Sequence, residues 1–285
     1  MSLITLTTDF GTKDHFVGAV KGAIYSELPD AKIVDITHQI TPFNIAETAY
    51  IIKNSYKSFP EGTIHIIGVD SELSEDNRHI ALALDGHYFI CPDNGLICMI
   101  TSDIKPTKIV EINIHDRIES SFPVLDVFVQ VACFISRGGS LGVIGKEIKE
   151  YKQLIEIQPK VNQEKTKIIG GVIYIDNYGN IISNISKKMF TDIGKGRSFV
   201  ITASRYKFTK VFNKYNEVVD YSAEDKRLFD GNRLALFNTA GYLEIAIYRS
   251  NLKTVGGAST LLGLAYRDMV TIEFLPSNLP EFKSI

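Results

Sequence analysis

Between residues 4 and 70 the chain reads strand, helix, strand, helix, strand, and that order leaves few ways to fold. The first apolar run carries Ile4 and Leu6 and ends at Asp9. A helical pattern then starts at Asp14, puts Val17, Val20 and Ile24 on one face, and closes near Leu28 before Pro29-Asp30. KIVDI (32–36) reads as a buried parallel strand. Asn44 reads as the cap of a second helix, whose face is Ile45, Ala49, Ile52 and Tyr56. TIHIIGV (63–69) is a third strand, ending at Asp70. Such a βαβαβ order makes a parallel sheet with helices packed on it. Right-handed crossovers bring the three strand ends to one edge, so Asp9, the loop 37–43 and Asp70 should converge where α/β proteins hold small ligands.

The type of ligand follows from what lines that edge. No GxGxxG or GxxxxGK[ST] spacing is present, so no phosphate-cradling loop is expected. Carboxylates at Asp9 and Asp14 suit a ribose diol or a cation better than a polyphosphate. Asp14 fits a helix N-cap equally well, and Asp9 a turn former.

Further along, Asp85-Gly86 between two apolar runs signals a hairpin, 108–112 is a strand, and a helix begins near Pro123, burying Phe128, Val131 and Ile135 before Gly138-Gly139. From 149 to 167 the pattern breaks into charged and amide residues, which sets an α/β domain at 1–150, a linker at about 151–167 and a second domain at 168–285. The second domain reads as all-β: runs at 168–175, 181–185, 199–202, 206–212, 233–237, 243–248 and 269–274 suit a small barrel or sandwich. The expected architecture is a mainly parallel sheet flanked by helices, followed by a smaller barrel-like domain. Two turns of that second half, Asp176-Asn177-Tyr178-Gly179-Asn180 and the run from Asn238 to Glu244, carry polar groups suited to a ligand. Each is also explained as a plain β-turn.

Bulk properties narrow the classes. A net charge of -2 gives no electrostatic case for nucleic acid or an anionic membrane. No apolar run is long enough to cross a bilayer, and no signal peptide is read at the N-terminus. Cys91, Cys98 and Cys133 are odd in number and scattered, which points away from disulfides or zinc and toward the cytoplasm.

The motifs, taken in order, resemble one family. TTDFGTKDHFVGAVKG (7–22), PDAKIVDITHQITPFNI (29–45), FPEGTIHIIGVD (59–70), YFICPDNG (88–95), YIDNYGNIISNI (174–185) and NTAGYLEIA (238–246) are similar to stretches of the S-adenosyl-L-methionine (SAM) hydroxide adenosyltransferases, relatives of the fluorinating and chlorinating enzymes. The resemblance implies an α/β domain, a β-barrel domain and a homotrimer, with the ligand between one subunit's α/β domain and its neighbour's barrel. SAM would be substrate or ligand, and no cofactor or metal is implied. By the same resemblance Asp9 would take the ribose hydroxyls, Asp14 the methionine end, and Phe43 would wall the sugar. Asp176 and Asn180 would hold amino-acid or ribose polar groups, and Tyr178 would stack near adenine. Asn238, Thr239, Glu244 and Tyr248 would complete the pockets. Carboxylates accept hydroxyl and ammonium donors, and aromatic faces suit adenine or a sulfonium.

The family's hydrolases hold a water against C5′ with an Asp, an Arg and a His. Asp70 stands at the Asp place. The Arg place falls on Asn77, with Arg78 one step later, and the His place falls on Pro123 in Phe122-Pro123-Val124-Leu125-Asp126. His79, His115 and Arg117 are the substitutes nearby in sequence. Three readings stand open: a SAM hydrolase forming adenosine and methionine, built on Asp70 and Arg78; a SAM- or adenosine-binding protein without turnover; and an enzyme that brings another nucleophile to SAM. Nothing in the residues points to a halide pocket.

Overall fold

The structure, a computed structural model, describes residues 3–101, 104–114, 120–154 and 157–276. His115 and Arg117 lie outside the described residues. The chain divides into two compact units, Met1–Ile155 and Glu156–Ile285.

In the first unit the elements run β1 (Leu3–Thr8), α1 (Phe16–Glu27), β2 (Lys32–Thr37), α2 (Ile45–Ser55), β3 (Ile64–Gly68), β4 (His79–Leu84), β5 (His87–Pro92), α3 (Leu96–Ile100), β6 (Lys108–Ile112), α4 (Val129–Ser136), α5 (Leu141–Ile144) and β7 (Gly145–Glu147). They form one seven-stranded mixed sheet in the order β2-β1-β3-β5-β4-β6-β7. The half built from β2, β1, β3 and β5 is parallel. The other half is antiparallel and grows from the β4–β5 hairpin, whose turn residues Asp85 and Gly86 both have positive φ, as a two-residue type I′ turn requires.

Alternation along the strands splits the core between the two sheet faces. Ile4, Leu6, Ile64, Ile66, Ala81 and Ile90 pack with Val20 and Ile24 of α1 and with Val131 and Ile135 of α4. Ile67, Ile80, Leu82, Phe89 and Cys91 pack with Ala49 and Ile52 of α2 and with Leu96 and Ile97 of α3. Asn44 caps α2 as expected, its side chain accepting from the Glu47 N–H. Two expectations need correction. α1 starts at Phe16 rather than Asp14, because residues 12–15 form a bend. β2 is an edge strand with Val34 exposed, not a buried one; among the described residues only β1 pairs with it.

The second unit holds β8 (Lys160–Val161), β9 (Lys167–Ile175), β10 (Ile181–Ser186), α6 (Lys187–Gly194), β11 (Phe199–Ala203), β12 (Tyr206–Phe208), β13 (Arg233–Phe237), β14 (Tyr242–Ile247), α7 (Ala258–Leu262) and β15 (Met269–Phe274). The strand order is β12-β11-β15-β9-β10-β14-β13, all antiparallel, with β8 on β9. Inward residues Ile168, Val172, Ile181, Ile201, Leu243, Ile245 and Ile272 make one core. The two terminal strands curl toward each other, the Arg233 guanidinium of β13 lying 4.8 Å over the Tyr206 ring of β12, so the sheet is barrel-like. Helix α6 was not read from the sequence: it is only eight residues long, capped by Ser186 accepting from the Met189 N–H, and its apolar face is just Met189, Phe190 and Ile193, packed on the barrel core.

Candidate functional site

The carboxyl edge of the parallel half is tied together by backbone and carboxylate bonds. The Gly11 N–H donates to the His38 carbonyl at 2.8 Å, and the Phe43 N–H donates to Asp9 Oδ2 at 3.0 Å. The turn after β1 and the loop after β2 therefore meet, as the topology predicts. Below them, Thr8 Oγ1 lies 2.8 Å from His38 Nδ1. His38 Nε2 is 3.2 Å from Asp35 Oδ1. Asp35 in turn pairs with Lys21 at 2.6 Å. Burial raises the Asp35 carboxyl, but the bonded Lys21 ammonium and the adjacent His38 imidazole outweigh it and hold the pKa below the ordinary value.

Phe43 is 71% exposed and sits at φ +64°, a left-handed backbone that an aromatic residue rarely adopts. Asp14 is exposed ahead of α1, whose N-cap is His15 with no side-chain cap bond, so Asp14 does no capping. Phe10, beside Asp9, packs on Phe122 at 5.3 Å and on Phe16 at 5.9 Å. This brings the segment that starts at Phe122 to the same edge. Gly68 ends β3 there because a Cβ on it would lie 2.6 Å from Val124 Cγ2 and 3.3 Å from Phe10 Cζ. Pro123 precedes a wide π-type turn, Val124–Phe128, that runs into α4.

Asp70 follows β3 in a left-handed turn at φ +50°. Arg78, the sequence candidate to act with it, is committed elsewhere. Its guanidinium binds Asp93 at 2.8 Å, Glu111 at 3.3 Å and the Glu150 carbonyl at 2.6 Å. Those partners lie on or beside the antiparallel half of the sheet, and Asp93 also accepts from the Lys152 N–H. His79 is fully buried at the start of β4, against the Phe128 ring, and its Nε2 bonds the Ser71 carbonyl.

In the second unit, Asp176, Tyr178 and Asn180 belong to the β9–β10 turn. Asp176 Oδ1 accepts from the N–H groups of Tyr178 and Asn180, and Oδ2 from Asn180 Nδ2. With its amide nitrogen so engaged, Asn180 Oδ1 is buried and has no partner among the described residues. The Tyr178 ring is 64% exposed. Gly179 has φ +78° and faces the Gly257 backbone closely enough that a Cβ would crowd it.

Glu244 lies on the outer face of β14, opposite the barrel core, and is 2% exposed. Tyr215, from the long connection after β12, donates its hydroxyl to Glu244 Oε1 at 2.6 Å. Burial raises the Glu244 pKa, the nearby Asp176 charge adds to that, and bonds from Tyr215 and Asn238 work against it. Asp176, Asn180, Asn238 and Glu244 thus share one electrostatic neighbourhood. Thr239 is exposed at the tip of the turn. Tyr248 stands apart, packed on Leu234, Leu236 and Ala246 with the Arg249 guanidinium at its ring. Tyr215 was missed from sequence because only its contact with a residue 29 positions away marks it. No cluster of three His, Cys, Asp or Glu suited to a metal is present among the described residues.

Comparisons with known proteins agree across both units. Residues 4–145 match the SAM hydroxide adenosyltransferase N-terminal domain and residues 170–271 its C-terminal domain. The chain is 32% identical, over 95% of its length and 96% of the relative's, to the (R)-S-adenosyl-L-methionine hydrolase of Methanocaldococcus jannaschii. It is 24% identical to a fluorinase of Actinoplanes sp., covering 86% of this chain and 90% of that one. A crystal structure of a conserved protein from Thermotoga maritima superposes with a TM-score of 0.81 at 28% identity, covering 95% of this chain and 99% of that one. The chain belongs to the SAM hydroxide adenosyltransferase family.

Proposed function

We propose that this protein hydrolyses SAM to adenosine and methionine. Water attacks C5′, the C5′–S bond breaks with its electron pair going to sulfur, and the water's second proton leaves to solvent. The observation that carries the reading is the near full-length match to a relative named as a SAM hydrolase. Sulfonium is a good leaving group and departs as neutral methionine, so the chemistry needs an aligned, partly desolvated water more than it needs strong acid or base. Asp70 is the residue offered for that alignment. Asp9 and Phe43 are offered for the ribose, and Asp14 for the methionine end. Asp176, Tyr178, Asn180, Asn238, Thr239, Glu244 and Tyr248 are offered for the remaining polar and adenine contacts. SAM is the substrate, and the reaction calls for no cofactor.

The finer expectations of the resemblance join this proposal: a homotrimer with its sites at subunit interfaces, working in the cytoplasm. Three free cysteines suit a reducing compartment. No described helix is long and apolar enough to cross a membrane.

A second reading, an adenosyl-binding homologue without turnover, is favoured by two particulars. Pro123 stands where the hydrolases have histidine, and Arg78 spends its donors on Asp93, Glu111 and the Glu150 carbonyl. One incubation separates the two. Purified protein with SAM should release adenosine and methionine in equal amounts. Asp70→Asn should lower kcat by about a hundredfold or more, with calorimetric SAM affinity kept. Tight binding with no product from the wild type replaces the hydrolase with the binding protein.

A further inference from the structure

The turn that carries Asp70 is held from outside at four successive carbonyls. Asn94 Nδ2 donates to the Val69 carbonyl at 3.1 Å. Asn77 Nδ2 donates to the Asp70 carbonyl at 2.8 Å and to the Glu72 carbonyl at 2.9 Å. His79 Nε2 meets the Ser71 carbonyl at 2.9 Å, and against a carbonyl it can only be the donor. Two further bonds join the Ser74 and Asn77 backbones reciprocally, closing the loop 70–77 on itself.

The middle of this arrangement is strained. An Asp at φ +50° persists where the surroundings over-determine it, and such residues gather at functional sites. Asn94 and His79 are almost fully buried, so two of the three holding side chains are themselves fixed. Asn77 cannot be turned over, because reversing its amide would aim Oδ1 at two carbonyls. Its Oδ1 consequently points away from the clamp, buried and without a partner among the described residues.

Resting on the hydrolase reading, we propose that Asn77 is a positioning residue for Asp70. Its amide, with those of Asn94 and the His79 imidazole, clamps the strained turn so that the Asp70 carboxylate is presented to the reacting water. At the position where the family's hydrolases place an arginine on the water, this chain places an amide that donates to the carbonyls of Asp70 and Glu72. Asn77 shapes the water site through Asp70 and does not itself touch the reacting atoms.

The test compares the full-length wild type with Asn77→Asp and Asn77→Ala. Asn77→Asp sets a carboxylate oxygen against two carbonyls at unchanged size, and Asn77→Ala only removes the donors. SAM turnover is measured across substrate concentrations, alongside hydrogen–deuterium exchange of peptides covering 68–74. In Asn77→Asp, kcat should fall about a hundredfold with KM changed by less than roughly threefold. Exchange at 70–74 should quicken by about tenfold or more while the rest of the chain is unaffected. Asn77→Ala should move both readouts the same way by less, and it carries the test alone if the charged variant does not fold. Wild-type kcat in a folded variant, or unchanged exchange at 70–74, overturns the proposal. A wild type that leaves SAM intact refutes the hydrolase instead, and the exchange result then decides whether the clamp exists.

Discussion

Phe43 shows what a single residue discloses about this site. Its ring is held in solvent, its backbone sits in the left-handed region, and its N–H is bonded to Asp9. Nothing in that arrangement serves the core, so the conformation costs stability that the fold does not recover locally. Phe43→Gly relieves a strain of about 1–3 kcal/mol and gives back roughly 1 kcal/mol through the freer unfolded chain. Thermal melting should therefore show it unchanged or stabilised by up to about 2 kcal/mol. If the ring walls the sugar or the sulfonium, calorimetry should show SAM affinity weakened by roughly fivefold or more. A marked loss of stability, or an unaltered Kd, removes Phe43 from the site. That Asp9, Phe43, Asp70 and Asp176 lie in the turns and loops that follow strands was legible, because sequence pattern locates strand ends. The partners were not. Arg78 stands one place from Asn77 in sequence, yet its donors go to Asp93 and Glu111 while those of Asn77 go to Asp70 and Glu72.

At the level of elements, the strands of the first unit carry a titration that the site does not use. His65 of β3 is fully buried, with Nδ1 2.7 Å from Thr5 Oγ1 of β1 and Nε2 3.2 Å from His87 Nδ1 of β5. Tyr56, Phe59 and Phe89 close around it. Burial, then the charge of His87, pushes the His65 pKa down to about 3. Burial lowers His87 too, against the opposing charges of Asp85 and Glu61. The unfolded chain takes up a proton near pH 6.5 that folded His65 refuses, so stability is full above that pH and drains as pH falls toward 3. Between pH 7 and pH 5 this one group should cost about 2 kcal/mol. Urea unfolding at pH 7, 6 and 5 should show a flatter acid slope for His65→Gln, whose amide can keep a bond to Thr5; parallel slopes would remove His65 as the cause. The element order behind this core was readable from periodicity alone, as was the β4–β5 hairpin from Asp85-Gly86. The exposure of β2 was not, since an apolar run looks alike at the edge and in the middle of a sheet.

For the whole molecule, the proposed trimer predicts a light-scattering mass of about three times the 31.8 kDa chain. A chain-sized mass at assay concentration would sink that assembly while leaving the family membership intact. What the sequence by itself determined was local: strand and helix periods, the turns between them, and a set of motifs in a specific order. Those depend on neighbours within a few residues, where spacing alone decides which side chains share a face. The tertiary structure decided everything that depends on where donors and charges meet after folding. It placed β2 at an edge, drew Arg78 toward the antiparallel half, put Tyr215 on Glu244, and closed Asn77 and His79 on the carbonyls around Asp70. The reason is the short range of a hydrogen bond, which forms only between groups within about 3 Å. A chain order does not state which distant atoms come that close; the packed sheet does.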